Sequence, residues 1–341
     1  MCNHARPRRS YPSVSIVVPV YNEETAISLF LEAVISVLEA DSKNWEIIFV
    51  NDGSSDQTLS VIRNHSIEDP RIKGVDLSRN FGKEIALTTG LDFASNQVVI
   101  PMDVDLQDPP QLIPEMIDRW RDGYEVVLAK RSDRKSDSFA KRLSASMFYC
   151  TMSRLTKIDI PANVGDFRLL GSDAMATLRK YPERERFMKG LFASLGFKTA
   201  TIEYVRPERS TGETKFNPWK LWSLALEGII SFSSTPLKIW TYIGITCATA
   251  SALYLLTILI KTIILGIDMP GYASLMCVVL FMNGLILTGL GVIAEYIARI
   301  FNEVKNRPLY VVQECIGKFD PDALVQCASA YTEGQRWRPS L

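Results

Sequence analysis

No charge of either sign prevails in this chain: across 341 residues, 38 lysines and arginines balance 38 aspartates and glutamates. A dedicated nucleic-acid binder carries a basic excess, so no nucleic-acid partner is expected. Paired cysteines are missing too. The six that occur (2, 150, 247, 277, 315 and 327) are scattered, with no C-x-x-C pair, which argues against a disulfide framework or a thiolate metal centre. Behind Arg6, Arg8 and Arg9 comes Ser10-Tyr11-Pro12 rather than an apolar run, so no signal peptide is expected.

Charge is also absent from two long stretches near the C-terminus. Residues 239–260 (IWTYIGITCATASALYLLTILI) and 272–294 (YASLMCVVLFMNGLILTGLGVIA) contain no Asp, Glu, Lys or Arg. Each is long enough to cross a hydrocarbon core of ~30 Å as a helix. Buried helices of a soluble core seldom run this far without charge, so the pattern predicts a transmembrane hairpin. Lys215, Lys220 and Lys238 precede it, Arg299, Lys305, Arg307 and Lys318 follow it, and the link between offers only Lys261. The positive-inside rule then predicts both termini in the cytoplasm. Before the hairpin, residues 217–235 place Trp219, Trp222, Leu226, Ile229 and Ile230 on one helical face, the pattern of an amphipathic juxtamembrane helix. Small residues in the spans, such as Ala248, Ser251, Gly284 and Gly289, permit close helix packing.

Ahead of these, SIVVPV (15–20), EIIFVN (46–51), IKGVDL (72–77), VVIPMD (98–103) and EVVLAK (125–130) read as strands. Helical patterns separate them, among them 81–95 and 110–121. The alternation predicts an α/β domain over 13–216, with a mostly parallel sheet and helices on both faces. Ligands of such folds bind beyond the C-terminal strand ends. Three polar clusters sit there: Tyr21-Asn22-Glu23, Asn51-Asp52-Gly53-Ser54 and Asp103-Val104-Asp105-Leu106-Gln107. Each alone is ordinary turn chemistry; three on one sheet edge are not. On an extended segment Asp103 and Asp105 share a face, and Gln107 continues the alternation. Two carboxylates and an amide oxygen are hard ligands suited to Mg²⁺ or Mn²⁺, which keep open positions for substrate phosphates.

VPVYNEE (18–24), VNDGSSDQT (50–58), LSRNFGKEIALTTGL (77–91), MDVDLQDPP (102–110), LAKRSDR (128–134) and NVGDFRLL (163–170) occur in that order. ERSTGETKFNPWKLWSLALEG (208–228) and EYIARIFNEVKNRPLYVV (295–312) follow. With these motifs the chain resembles the polyprenyl-phosphate (dolichol-phosphate mannose synthase-like) branch of the family 2 glycosyltransferases, and within it the bactoprenol glucosyltransferases of O-antigen glucosylation. The resemblance implies a GT-A (Rossmann-like) cytoplasmic domain, a two-span anchor over 239–260 and 272–294, and a cytoplasmic segment 295–341. It implies inverting, Mg²⁺- or Mn²⁺-dependent transfer of glucose from UDP-glucose to undecaprenyl phosphate. By position, Pro19, Tyr21, Glu23, Asp52, Lys83 and Asp103 would hold the nucleotide, and Asp103, Asp105 and Gln107 the metal. Arg131, Arg168, Arg209 and Lys215 would face phosphates, and Asp105 and Asp166 would be catalytic. A homo-oligomer, a tetramer by analogy, a flippase and a downstream glucosyltransferase complete the implied partners. Two departures occur: Asn51 precedes Asp52 where the family has Asp, and Thr214 replaces Ser in the Arg209–Lys215 motif.

A lipid phosphate has a second pKa near ~6 and is largely ionised at neutral pH, so it hardly needs a general base. The harder task is bringing two phosphates together, and arginines neutralise them with charge-assisted bonds. Asp166 is then either a base or a carboxylate paired with Arg168 or Arg131. The transferred sugar stays open among glucose, galactose, mannose, N-acetylhexosamine and aminoarabinose. A processive synthase would add Gln-x-x-Arg-Trp; Gln335-Arg336-Trp337 lacks the gap. The non-enzymatic alternative is a lipid-binding subunit of a sugar-lipid flippase. The tails, 1–12 and about 318–341, carry no motif and read as flexible ends.

Overall fold

The computed structural model describes residues 8–41, 44–132, 164–181, 183–184, 186, 188–205, 235–265, 271–305 and 307–319. The juxtamembrane helix expected over 217–235 (apart from Thr235, its last residue), Arg209, Lys215 and the segment after 319 lie outside them. The chain forms two compact units, one with the sheet and one with two long helices.

In the first unit the strands are β1 (Val14–Val20), β2 (Trp45–Asn51), β3 (Ile72–Leu77), β4 (Val98–Pro101), β5 (Val126–Arg131), β6 (Val164–Gly171), β7 (Thr199–Tyr204) and β8 (Val312–Ile316). Between them come α1 (Ala26–Asp41), α2 (Thr58–Glu68), α3 (Lys83–Phe93), α4 (Ile113–Arg121), α5 (Ser172–Leu178) and α6 (Met188–Ser194). The strands make one sheet in the order β7-β5-β6-β4-β1-β2-β3-β8. Its centre, β4-β1-β2-β3, is parallel. Crossover helices cover both faces of these strands, so most side chains on both faces of β1 and β2 are apolar, with buried Ser15 donating to Glu46 as an exception.

Val14, Ile16 and Val18 of β1 join Ile27, Phe30, Val34 and Leu38 of α1 and Ile113, Met116 and Ile117 of α4 in one core. Val17 points the other way, toward α3. A Cβ on Gly90 would lie 2.2 Å from Val17 Cγ1, so only glycine lets α3 come this close.

The sheet is mostly parallel, as expected, with two antiparallel strands. β6 runs antiparallel between β4 and β5, and β8 runs antiparallel to β3. Neither strand announces itself locally: VGDFRLLG interleaves polar residues, and VQECI is a short edge strand. β8 follows the long helices in sequence yet completes the sheet begun before them. Tyr310 supports this return by donating to Asp92 Oδ2 at 3.0 Å, and Phe319 packs edge-on against Phe93 at 5.2 Å.

The second unit holds α7 (Thr235–Leu265) and α8 (Tyr272–Val304), which extend past the uncharged stretches at both outer ends. Apolar residues on them face outward, as Ile263, Leu287 and Phe281 do. Among the described residues, Phe281–Val304 is long and apolar enough to cross a membrane. Gly289 lies against the Trp240 ring, where the two helices meet.

Candidate active site

The loops after β1 and β2 are stitched together. Asn22 sits at φ 55, donates its N–H to Ser54 Oγ at 2.9 Å and accepts from the Ser55 N–H at 2.8 Å. Glu23 N–H donates to Thr58 Oγ1 and Gln57 N–H to Glu24 Oε2, each at 2.9 Å. Gly53, at φ 68, could not carry a side chain: a Cβ would lie 2.5 Å from the backbone of Arg79. Beside it, buried Asp52 accepts from the N–H groups of Phe81 (2.7 Å) and Gly82 (2.9 Å). Burial raises its pKa, outweighing those two donors. Asp52 thereby fixes the turn that opens α3 and presents Lys83.

The acidic segment is a turn, not an extension of the strand. β4 ends at Pro101, Leu106 takes a left-handed φ of 53, and Gln107 N–H donates to Asp105 Oδ1 at 3.1 Å. The expected period-two alternation therefore stops before Gln107. Asp103 and Asp105 still reach one place. With Pro19, Tyr21, Glu23, Asp52 and Lys83 they line a crevice of about 370 Å³ at the C-terminal ends of the parallel strands. Asn80 and Gly82 line it as well, and only the glycine's φ of 98 hints at why that turn is there. Burial, then the charges of Asp105, Asp56 and Asp103, push the Glu23 carboxyl above its ordinary range.

The cation among these acids is Lys83. Its Nζ lies 2.6 Å from Asp103 Oδ1 and 3.0 Å from Asp166 Oδ2. Burial opposes its charge, but the two carboxylates win and hold the ammonium above its usual value. Asp166 is likewise kept low, with Lys83 and then Lys189 and Arg168 overcoming the cost of burial. Glu84, next along, is raised by burial and by Asp166, and accepts from Met188 N–H at 3.1 Å. Sequence reading missed Glu84, which looks like an ordinary first-turn glutamate.

Among the described residues no three His, Cys, Asp or Glu side chains close on one metal position. The donors of this turn whose chemistry suits a hard divalent ion are Asp103, Asp105 and Gln107. The two carboxylates line the crevice and Gln107 does not; its buried Oε1 has no hydrogen-bond partner among the described residues.

The arginines divide. Arg131 ends β5 half-buried, its Nη2 about where a Gly165 side chain would begin (3.3 Å from a Cβ there). Arg168 is only 4% exposed, stacks on Phe192 at 4.1 Å and donates to the Gly165 carbonyl at 2.5 Å. Burial pulls its pKa down to about 10, against Asp166 and Glu84. Two positions on from Asp166 and on the same face of β6, Arg168 is buried against Phe192 and does not line the crevice, where the resemblance implied a phosphate-facing group.

A sheet with an acidic crevice beyond its parallel strands, followed by an apolar helical hairpin, is the architecture of a membrane-associated glycosyltransferase of GT-A fold, and the comparisons agree. The chain belongs to glycosyl transferase family 2, whose model matches residues 15–179, and the GtrB C-terminal hairpin matches 235–300. An uncharacterised glycosyltransferase of Synechocystis is 48% identical over 304 residues, covering 89% of this chain and 96% of the relative. A prophage bactoprenol glucosyl transferase homologue of Escherichia coli K12 is 48% identical over 300 residues, covering 88% and 98%. Among solved structures, a glucosyl-3-phosphoglycerate synthase from Mycobacterium tuberculosis aligns at TM-score 0.47 and 17% identity, covering 64% of this chain and 78% of the other.

Proposed function

We propose that this glycosyltransferase moves glucose from UDP-glucose to undecaprenyl phosphate, with inversion, on the cytoplasmic face of the membrane. The observation that carries the reading is the acidic crevice, with paired Asp103 and Asp105, on a chain 48% identical to bactoprenol glucosyl transferases over most of its length. Pro19, Tyr21, Glu23 and Asp52 would take the nucleoside. Asp103, Asp105 and Gln107 would hold Mg²⁺ or Mn²⁺, which when bound neutralises the departing diphosphate as a Lewis acid. A phosphate oxygen of the lipid attacks C1 of the sugar from the face opposite the diphosphate. The C1–O bond to the diphosphate breaks and its electron pair leaves with UDP.

The acceptor is already ionised, so no proton need be removed. That favours Asp166 as the partner that orients Lys83 over Asp166 as a general base, in keeping with its depressed pKa. Lys83 would turn toward the diphosphate once a divalent ion takes Asp103. Arg131, with Arg209 and Lys215, would receive the acceptor phosphate.

The membrane reading is supported by chain connectivity. β8 follows the hairpin and pairs with β3, which precedes it. If α7 and α8 span, the crossings are even in number, and both flanks lie with the catalytic sheet, in keeping with the lysines and arginines there.

The donor is tested by offering the purified protein a panel of nucleotide sugars with undecaprenyl phosphate. The reading expects product from UDP-glucose above all others; preference for another donor replaces the sugar and keeps the mechanism.

A further inference from the structure

The acidic turn contains a third carboxylate that the crevice does not use. Asp108 is 3% exposed and accepts a hydrogen bond from the Tyr204 phenol. The same phenol oxygen accepts from Arg131 Nε at 3.2 Å, and Arg131 Nη2 lies 3.8 Å from Asp108 Oδ1. Three separate elements meet here: the turn after β4, the end of β5 and the end of β7. Ser132 reinforces the junction, its N–H and Oγ both donating to the Tyr204 carbonyl, at 2.9 and 3.0 Å. Burial, then the bond to Asp108, pushes the Tyr204 hydroxyl up to about 12, so it stays a phenol and a donor.

What the cluster holds is one guanidinium. An arginine presents five donors in a planar fork, and tying Nε to the phenol fixes the plane of that fork. Asp108 faces one edge, while Nη2 borders Gly165, next to Asp166. Arg131 does not line the crevice, so a group it serves lies at the margin, on the side of β6 rather than of the nucleoside loops. We propose that Tyr204 and Asp108 are positioning residues that pre-set Arg131 for the acceptor phosphate, and that this is the task of the third acid in the turn. The inference rests on the reading that Arg131 faces that phosphate. A pre-oriented fork loses less freedom when the phosphate arrives, so loss of the cluster weakens acceptor capture and leaves the donor alone.

The test uses the full chain in detergent micelles, with undecaprenyl phosphate and the donor it prefers. Tyr204→Phe keeps the ring and deletes the hydroxyl. It is expected to raise KM for the lipid phosphate about tenfold, the scale of one hydrogen bond to a charged group, with donor KM changed by less than about twofold. Asp108→Asn keeps an oxygen for the phenol and removes the charge facing Arg131; it is expected to show the same acceptor-only rise even if Tyr204→Phe folds poorly. Arg131→Gln should raise acceptor KM further, and adding Tyr204→Phe to it should change nothing more. If Arg131→Gln leaves acceptor KM untouched, the phosphate reading of Arg131 fails, and the inference with it. If Arg131→Gln raises it but Tyr204→Phe and Asp108→Asn do not, the positioning role alone is overturned. Penalties that add independently, with both KM values rising and Tm falling, also overturn it in favour of simple packing.

Discussion

Lys83 settles an electrostatic problem visible in the sequence. Aspartates gathered in one turn repel one another and need a cation. In this structure the ammonium on the first residue of α3 meets that need by bridging Asp103 and Asp166. The bridge is half-open to solvent, so its worth lies less in stability than in readiness. Replacing it by Lys83→Met leaves the two carboxylates without their counter-charge. The variant's Tm should fall in the absence of divalent metal and gain more from Mg²⁺ or Mn²⁺ than the wild type does. Transfer should drop by about two orders of magnitude, the scale of losing one preorganised charge. Equal metal-induced Tm gains in the two proteins would contradict the assignment. Much at this scale was legible: Pro19, Tyr21, Glu23, Asp52, Lys83, Asp103 and Asp105 do line one crevice. Arg168 was not, because a buried arginine stacked on phenylalanine and an exposed one waiting for phosphate look alike in a string of letters. Tyr204 gave no signal either, since its partners lie 73 and 96 positions away.

Among elements, those read correctly are those whose signal is local. β1 and β2 are largely apolar on both faces because helices cover both, and α1 shows its buried stripe at Ile27, Phe30, Leu31, Val34 and Leu38. Period-two reasoning failed at Leu106, where a single left-handed residue converts a strand into a turn. β8 was beyond reach because its pairing with β3 spans the whole hairpin. The return of that segment has a testable anchor in half-buried Asp92, which accepts from Tyr310. Burial raises the Asp92 pKa from its ordinary 3.8, more than the Tyr310 bond and the nearby Arg179 and Arg186 lower it. The folded state thus holds this proton more tightly than the unfolded chain, and its contribution falls as pH rises through the ordinary value toward the folded one. Asp92→Asn keeps an acceptor for Tyr310 and cannot titrate. Its Tm should therefore gain on the wild type as pH rises from about 4 toward neutrality. A difference in Tm that is flat, or that shrinks with pH, would show that the aspartate is stabilised by its charge instead.

For the whole molecule, the sequence divides its labour between a polar crevice and an apolar hairpin, and β8, which follows the hairpin in the chain, pairs with β3, which precedes it. This architecture suits a reaction in which a water-soluble donor meets an acceptor whose tail stays in lipid. The central claim is metal-dependent transfer to a polyprenyl phosphate. Its most direct measurement follows labelled sugar from its nucleotide into an organic-extractable lipid, using the purified full chain and Asp105→Asn, each with and without EDTA. The account predicts a labelled lipid only when undecaprenyl phosphate and a divalent ion are both present. It further predicts that Asp105→Asn lowers the rate by at least about a hundredfold, as loss of a metal ligand should. Undiminished transfer in EDTA, or in Asp105→Asn, would contradict it.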